Sequence, residues 1–356
     1  MIAPPFIPVP PVRYGGTELF IANLAEGLRD RGHEVVVYAN GESEVGVEIR
    51  WLYPESRWPI KGECSETLQE IVHTAWALHD AADNCDLVHT NSMCGLAHSA
   101  FLDVPMVHTI HHEQEDTLSD YYSHFPTVHY VTISDFQRRR EKMPHISTIH
   151  HGIDLNRYIC CPDKRGYLSF LGRIAPIKGA HLAIEVAQKS GVPLKIAGEV
   201  QPMFQGYFDS KIKPHIDGKF IEYIGEAGLE DKNELLAHSI AMLFPIQWNE
   251  PFGLVMIEAM ACGTPVLALP GGSVEEVVQD GVSGYVCRSV EEMVSSVQEL
   301  GSHLAPHRVR EYVEQNFSVE RMAQDYERLY LKVTSRRAIE EAPPLLSAGE
   351  KDSAAA

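Results

Sequence analysis

Short apolar runs, each giving way to a helical pattern, recur along the whole chain and narrow its possible folds more than any other feature. Val35-Val36-Val37-Tyr38-Ala39 is apolar throughout, as a strand covered on both faces requires. Comparable runs follow at 87–89, 104–109 and 130–133, with helical stretches at 68–81 and 93–101 between them. The rhythm restarts at 167–171 and continues through 194–197, 220–225, 241–245 and 285–287, with helices predicted over 181–190 and 290–300. Such alternation predicts an α/β fold in which helices cover both faces of a doubly wound parallel sheet. Because 356 residues exceed what one ordinary core absorbs, the restart predicts two such units. Ligands gather at the carboxyl ends of strands in these sheets, so the residues just after each run deserve the closest reading.

Charge excludes one class of partner. With a formal net charge of −19 the chain lacks the basic surplus that a general nucleic-acid binder needs, although a local basic pocket stays open to it. Seven cysteines, odd in number, without a C-x-x-C pair and with Cys160 beside Cys161, read as free thiols of a reducing compartment. No apolar run approaches the ~20 residues of a membrane span, and no basic-then-apolar leader opens the chain. A cytoplasmic protein is therefore expected, with peripheral membrane contact open but not favoured, and with no expectation for oligomeric state.

Four places carry candidate chemistry. In 246–272, Glu250 sits in a Pro251-Phe252-Gly253 turn that feeds a helical pattern of Leu254, Val255, Ile257, Met260 and Ala261. Unpartnered amides at such a helix start, those of Phe252, Gly253 and Leu254, suit phosphate or sugar oxygens. Glu258 lies roughly one and a half turns further on, so both carboxylates can address one ligand, and a nucleotide sugar offers both diol and diphosphate. Otherwise the two glutamates are a solvated helix residue and a charge favoured by the dipole. Gly15-Gly16 stand at another helix start, where bare backbone can approach a diphosphate. Arg173 and Lys178 follow the run at 167–171 and are the pair a departing diphosphate requires, unless they belong to a plain solvated loop. Thr109-Ile110-His111-His112-Glu113 invites a metal, yet neighbouring residues do not face one another and no HExxH spacing exists, so none is expected.

Taken together, these segments resemble the retaining GT-B glycosyltransferases of family 4. Glu250 and Glu258 match its E-x7-E signature, and Gly263-Thr264-Pro265-Val266, Gly271-Gly272 and Glu275 look like its continuation. Gly15-Gly16-Thr17-Glu18 resembles its donor-phosphate loop, Gly172-Arg173 through Lys178-Gly179 its G-R-x5-K-G motif, and His151-Gly152-Ile153-Asp154 its N-G-I-D turn with His in place of Asn. The resemblance covers residues 3–335. It implies two Rossmann-like domains facing across a cleft, at 1–152 and 153–316, and a helix at 317–335 returning to the first; the tail at 336–356, which turns to Pro-Pro, Ser, Gly and an Ala triplet, is expected from its composition to be disordered. Since relatives begin with more residues before Met1-Ile2-Ala3, either the start lies upstream or the first strand is short.

The implied function is transfer of a hexose, expected to be glucose from UDP, with retained anomeric configuration and no metal or other cofactor. In the implied roles Arg173 and Lys178 hold the diphosphate, Glu258 the ribose, and Glu250 with the Phe252, Gly253 and Leu254 amides the hexose. Gly15 and Gly16 close on the phosphates, Gly198 lies at a donor-side strand end, and His111, with His112 as the fallback, sits beside the hexose. The acceptor is assigned to loops 4–14, 51–62 and 113–125, whose aromatics are Trp51, Tyr53, Trp58, Tyr121, Tyr122 and Phe125. Those loops hold little basic charge beyond Arg13, Arg57 and Lys61, which favours a soluble small molecule over a lipid-linked glycan. An epimerase of the same fold and a non-catalytic sugar-nucleotide sensor are the rival readings.

Overall fold

The computed structural model describes residues 1–13, 15–300 and 304–337, so the tail expected at 336–356 falls, from 338 onward, outside the described residues. In the first half β1 (Val36–Ala39) pairs with β2 (Glu48–Trp51). A parallel sheet follows in the order β3 (Val88–Thr90), β4 (Met106–Ile110), β5 (His129–Thr132), β6 (Ile146–Thr148). Ile2 joins the two pieces, bridging Tyr38 on one side and Thr90 on the other. It does so as a single paired residue rather than a full strand.

The second half holds β7 (Leu168–Leu171), β8 (Leu194–Ala197), β9 (Ile221–Gly225), β10 (Ala241–Phe244), β11 (Val266–Ala268) and β12 (Gly284–Val286). They lie parallel in the order β12-β11-β10-β7-β8-β9, so the winding reverses between β7 and β10. A crevice opens at such a reversal, beyond the carboxyl ends of the two strands. Arg173 follows β7 and the 246–250 loop follows β10, which puts both at that crevice.

Several elements depart from expectation, among them a helix at Asp116–Ser123 inside the expected loop 113–125. β2 was not foreseen, because Glu48 and Arg50 make it a polar, half-exposed edge. The stretch Met93–Phe101 winds as 3-10 rather than α-helix, with Ser92 capping Cys94 N. Helix Pro306–Asn316 was not foreseen, since only Val309 and Val313 mark its buried face.

The helix Val319–Arg337 packs on the helix Gly16–Asp30 of the first half. There is no room for a side chain at Gly27, whose Cβ would stand 2.9 Å from the Cβ of Ala323. Met322, Ala323, Tyr326 and Leu329 share one core with Phe20, Leu24 and Val107. Tyr326 hydroxyl bonds Thr109 Oγ1 at 2.9 Å and Tyr330 hydroxyl bonds His89 Nδ1 at 2.6 Å, so the interface has fixed polar anchors.

Candidate active site

Two helix starts face each other between the sheets. A methyl built on Gly16 would lie 3.5 Å from Cδ1 of Leu254, the first residue of helix Leu254–Ala261. Each start leaves amides without intrahelical partners and adds a positive dipole end, so their shared space favours an anion. At Gly253, which precedes the second helix with φ of +81°, a Cβ would meet Met256 Cε at 2.6 Å and Glu250 Cγ at 3.2 Å. Glycine is thus what lets the chain turn from Glu250 into the helix.

The cleft so formed has a volume of about 360 Å³, and His111, Gly15, Gly16, Arg173, Lys178, Gly198, Glu250, Phe252, Gly253, Leu254 and Glu258 all line it. Every residue singled out from the sequence as catalytic or donor-binding is therefore in one place. Arg13, Arg157, Arg173, Lys178 and Lys232 face Glu199, Glu226, Glu250 and Glu258 there. Within a chain of net charge −19, that makes a local excess of cations.

Lys178 and Glu250 are bonded to each other, Nζ to Oε2 at 2.5 Å, and the same oxygen accepts from the Trp248 indole at 3.0 Å. The ammonium also stands 4.5 Å from the centre of the Trp248 ring, a cation–π contact that fixes its direction. Glu250 is itself pinned by its backbone: Ser273 N donates to its carbonyl at 2.9 Å, and a Cβ at Gly272 would lie 2.1 Å from that oxygen. Glu258, almost fully buried, accepts from Lys232 at 3.0 Å and from the Tyr158 hydroxyl at 2.9 Å, both on Oε1. Arg173 reaches Gln201 at 3.4 Å while its Nε is buried without a partner among the described residues. Part of the guanidinium fork is therefore uncommitted.

His111 is set by Asn91. Asn91 Nδ2 donates to Ile2 O at 3.2 Å, leaving its oxygen to accept from His111 Nε2 at 2.9 Å. The proton is thereby assigned to Nε2, and Nδ1 keeps a lone pair. Burial, followed by the neighbouring His151, holds the His111 pKa well below the usual histidine range, so the ring is neutral. His112, the fallback, turns away to Glu113 O and the Tyr122 hydroxyl. Tyr122 is fully buried and so unavailable to an acceptor, contrary to its expected place in an open loop.

Contacts between the halves draw the cleft together. Glu276 accepts from Asp135 N at 2.7 Å and Phe136 N at 2.6 Å and lies 3.2 Å from His150 Nε2. Asn249 donates to Glu113 at 2.9 Å, and Arg13 meets Glu226 at 3.4 Å. Glu199, near Trp58, has its pKa raised by burial and then by Glu226. The sequence reading passed over Lys232, Tyr158, Trp248, Asn249 and Glu276. The adjacency of Trp248 and Asn249 to Glu250 was a usable signal, whereas Lys232 on an ordinary charged helix offered none.

Two family models tile the chain: Glycosyltransferase Family 4 over residues 14–157 and Glycosyl transferases group 1 over 161–315. The chain is a GT-B glycosyltransferase of the family 4 type. A curated relative of this glycosyltransferase is the N-acetyl-alpha-D-glucosaminyl L-malate synthase of Bacillus anthracis, 34% identical over 127 residues. That match spans 33% of the glycosyltransferase and about a third, 32%, of the relative. Among solved structures, AviGT4, a glycosyltransferase involved in avilamycin A biosynthesis, superposes with a TM-score of 0.71 at 27% identity and 94% coverage of both chains. Anabaena HepE in complex with UDP and glucose shares the fold, with a TM-score of 0.72 at 19% identity over 89% of the glycosyltransferase and 96% of HepE. Among the described residues no helix is long and apolar enough to cross a membrane.

Proposed function

We propose that the chain transfers a hexose, glucose, from UDP to a soluble small molecule with retention at the anomeric carbon. The observation that carries this is the pair of opposed helix starts, Gly16 and Leu254, with Arg173, Lys178, Glu250 and Glu258 around the space between them. The diphosphate belongs between the helix ends, where Arg173 offers its open fork. Lys178, held in place by Glu250 and the Trp248 ring, offers its remaining charge to the leaving phosphate. Glu258, whose two oxygens share the Lys232 ammonium while Oε1 also takes the Tyr158 hydroxyl, retains acceptor capacity on Oε2 for ribose hydroxyls. Glu250 and the Phe252 to Leu254 amides meet the hexose.

Retention is the outcome that the family resemblance implies, and the cleft's groups support it. Glu250 is committed to Lys178 and Trp248, which leaves it a poor nucleophile, so the departing phosphate oxygen takes the acceptor proton on the face it leaves. Neutral His111 adds no positive charge beside a carbon that becomes positive in the transition state. The cations and helix ends supply the counter-charge for the diphosphate, and no metal is assigned, so EDTA is expected to leave turnover unchanged. UDP rather than GDP is favoured by the fold shared with HepE, which binds UDP and glucose.

Radiolabelled UDP-glucose incubated with the enzyme and a small-molecule extract is expected to give labelled soluble product. Label only in the membrane fraction defeats the acceptor class, stabilisation by GDP but not UDP defeats the donor, and an epimerised nucleotide sugar formed without acceptor defeats transfer itself.

A further inference from the structure

We propose that donor binding is coupled to protonation of Glu18, so that the cleft takes up a proton from water as it takes up the diphosphate. This rests on the transfer reading above and deepens it, by naming what sets donor affinity around neutral pH. Glu18 belongs to the Gly15-Gly16-Thr17-Glu18 segment, yet it does not line the cleft and none of the roles assigned above uses it. It is buried, with 5% of its surface exposed, and its carboxylate lies just behind the cleft wall. A Cβ built on Gly15 would stand 2.8 Å from its Oε2 and 2.8 Å from Cβ of Pro11, so the side chain is confined between that loop and its own helix. Gly15 itself lines the cleft, which leaves bare backbone as the only partition between the Glu18 carboxylate and the space assigned to the diphosphate.

Burial opposes the Glu18 charge and raises its pKa to about 7, against the smaller pull of its own amide and of the dipole end of helix Gly16–Asp30. Of the charges round the space in front of it, Arg13 is paired with Glu226 and Lys178 with Glu250, and His111 and His151 are neutral. Arg173 meets the diphosphate from the other half. A diphosphate seated at the Gly16 helix start claims the same dipole end. It also brings like charge to within roughly 6 Å of the carboxylate, where one pair of charges at an effective dielectric of about 20 is worth more than about tenfold in affinity. Glu18 is the group that yields, because near neutrality its carboxyl is already close to half protonated, while the esterified phosphates of a nucleotide sugar keep their charge. The donor-bound protein therefore holds more protons than the free protein, so affinity is full on the acid side and falls as pH rises through about 7.

Proton counting tests this directly. UDP-glucose is the probe, because both of its phosphates are esterified and neither titrates near neutrality. Its binding is followed by calorimetry in buffers of different ionisation heat, which gives the protons exchanged per donor bound. At about pH 7.5 wild type is expected to take up about half a proton or more, and Glu18→Gln, which holds an uncharged group of the same shape, about none. Between about pH 6.5 and about pH 8.5 wild-type affinity should fall about fivefold or more, whereas that of Glu18→Gln should stay level and lie within about twofold of wild type at the acid end. Equal uptake in both proteins puts the titrating group elsewhere and overturns the proposal, as does wild-type binding without uptake. If folded wild type binds no UDP-glucose at any pH, the donor reading falls and the coupling with it, whereas binding without uptake defeats the coupling alone. Should Glu18→Gln not fold, Glu18→Ala, likewise uncharged, enters the same comparison with the same expected and overturning results.

Discussion

At the scale of single residues the charged clamp makes the sharpest demand. Removing Arg173 or Lys178 should cost ~2–4 kcal/mol of transition-state stabilisation and leave donor binding less affected, because the diphosphate is most negative as the bond breaks. Turnover of Arg173→Ala and Lys178→Ala against UDP affinity checks this, and wild-type turnover in either variant overturns the assignment. Glu18 poses a different problem. Buried at the start of the Gly16 helix, its carboxyl is pushed up to about 7, first of all by desolvation. A raised carboxyl pKa disfavours the charged native form, so the penalty is absent below about pH 4.5, grows through neutrality and is complete above about pH 7. It amounts to on the order of 3 kcal/mol. Glu18→Gln is expected to raise the melting temperature at pH 8 and not at pH 4.5; the same rise at both would show that charge is not the cause.

Elements matter through how they meet. Glu276, on the short helix Val274–Val277, caps the helix Asp135–Arg138 of the other half, its carboxylate accepting hydrogen bonds from two backbone amides. Bonds to an ionised group are worth about 1.5–3 kcal/mol, enough to bias the opening of a cleft. Glu276→Ala should weaken UDP affinity and enlarge the radius of gyration in small-angle scattering, while Glu276→Gln, which retains an acceptor, should lie between; an unchanged radius in the alanine variant would show that the contact does not hold the halves. Sequence legibility divides along the same line. The alternating runs disclosed the doubly wound sheets because burial on both faces leaves few polar residues to confuse the pattern. The Gly-Gly, Arg/Lys and paired-Glu segments, each open to a plain structural reading alone, stood out because together they resemble the motifs of one family, and the structure gathers them round one cleft. What stayed hidden was pairwise: that Lys178 spends itself on Glu250, that Lys232 comes to Glu258, and that Glu276 crosses to Asp135. A partner chosen by tertiary approach leaves no mark on spacing.

For the whole molecule, buried neutral histidines set the acid limit. His73 is held at about 4, His108 and His151 at about 3, and His89 and His111 well below the ordinary value, each by burial first. A histidine depressed in the native state stabilises fully above its unfolded pKa of about 6.5 and loses that contribution as pH falls towards the folded value. Each contributes up to about 1.4 kcal/mol per pH unit through that window. Stability measured by urea unfolding should therefore drop steeply between pH 6.5 and 4; a flat profile there would mean that the rings take up protons without unfolding.

The packing of the last helix on the first has a consequence for how the protein is made. Leu24 and Val107 share a core with Met322 and Tyr326. Roughly 300 residues separate the two ends of that core, and at about 5–20 residues per second the ribosome takes about 15–60 s to supply the second after the first. During that interval the nascent amino-terminal half presents an apolar face awaiting its own carboxyl end, and chaperone capture or premature release would act on it then.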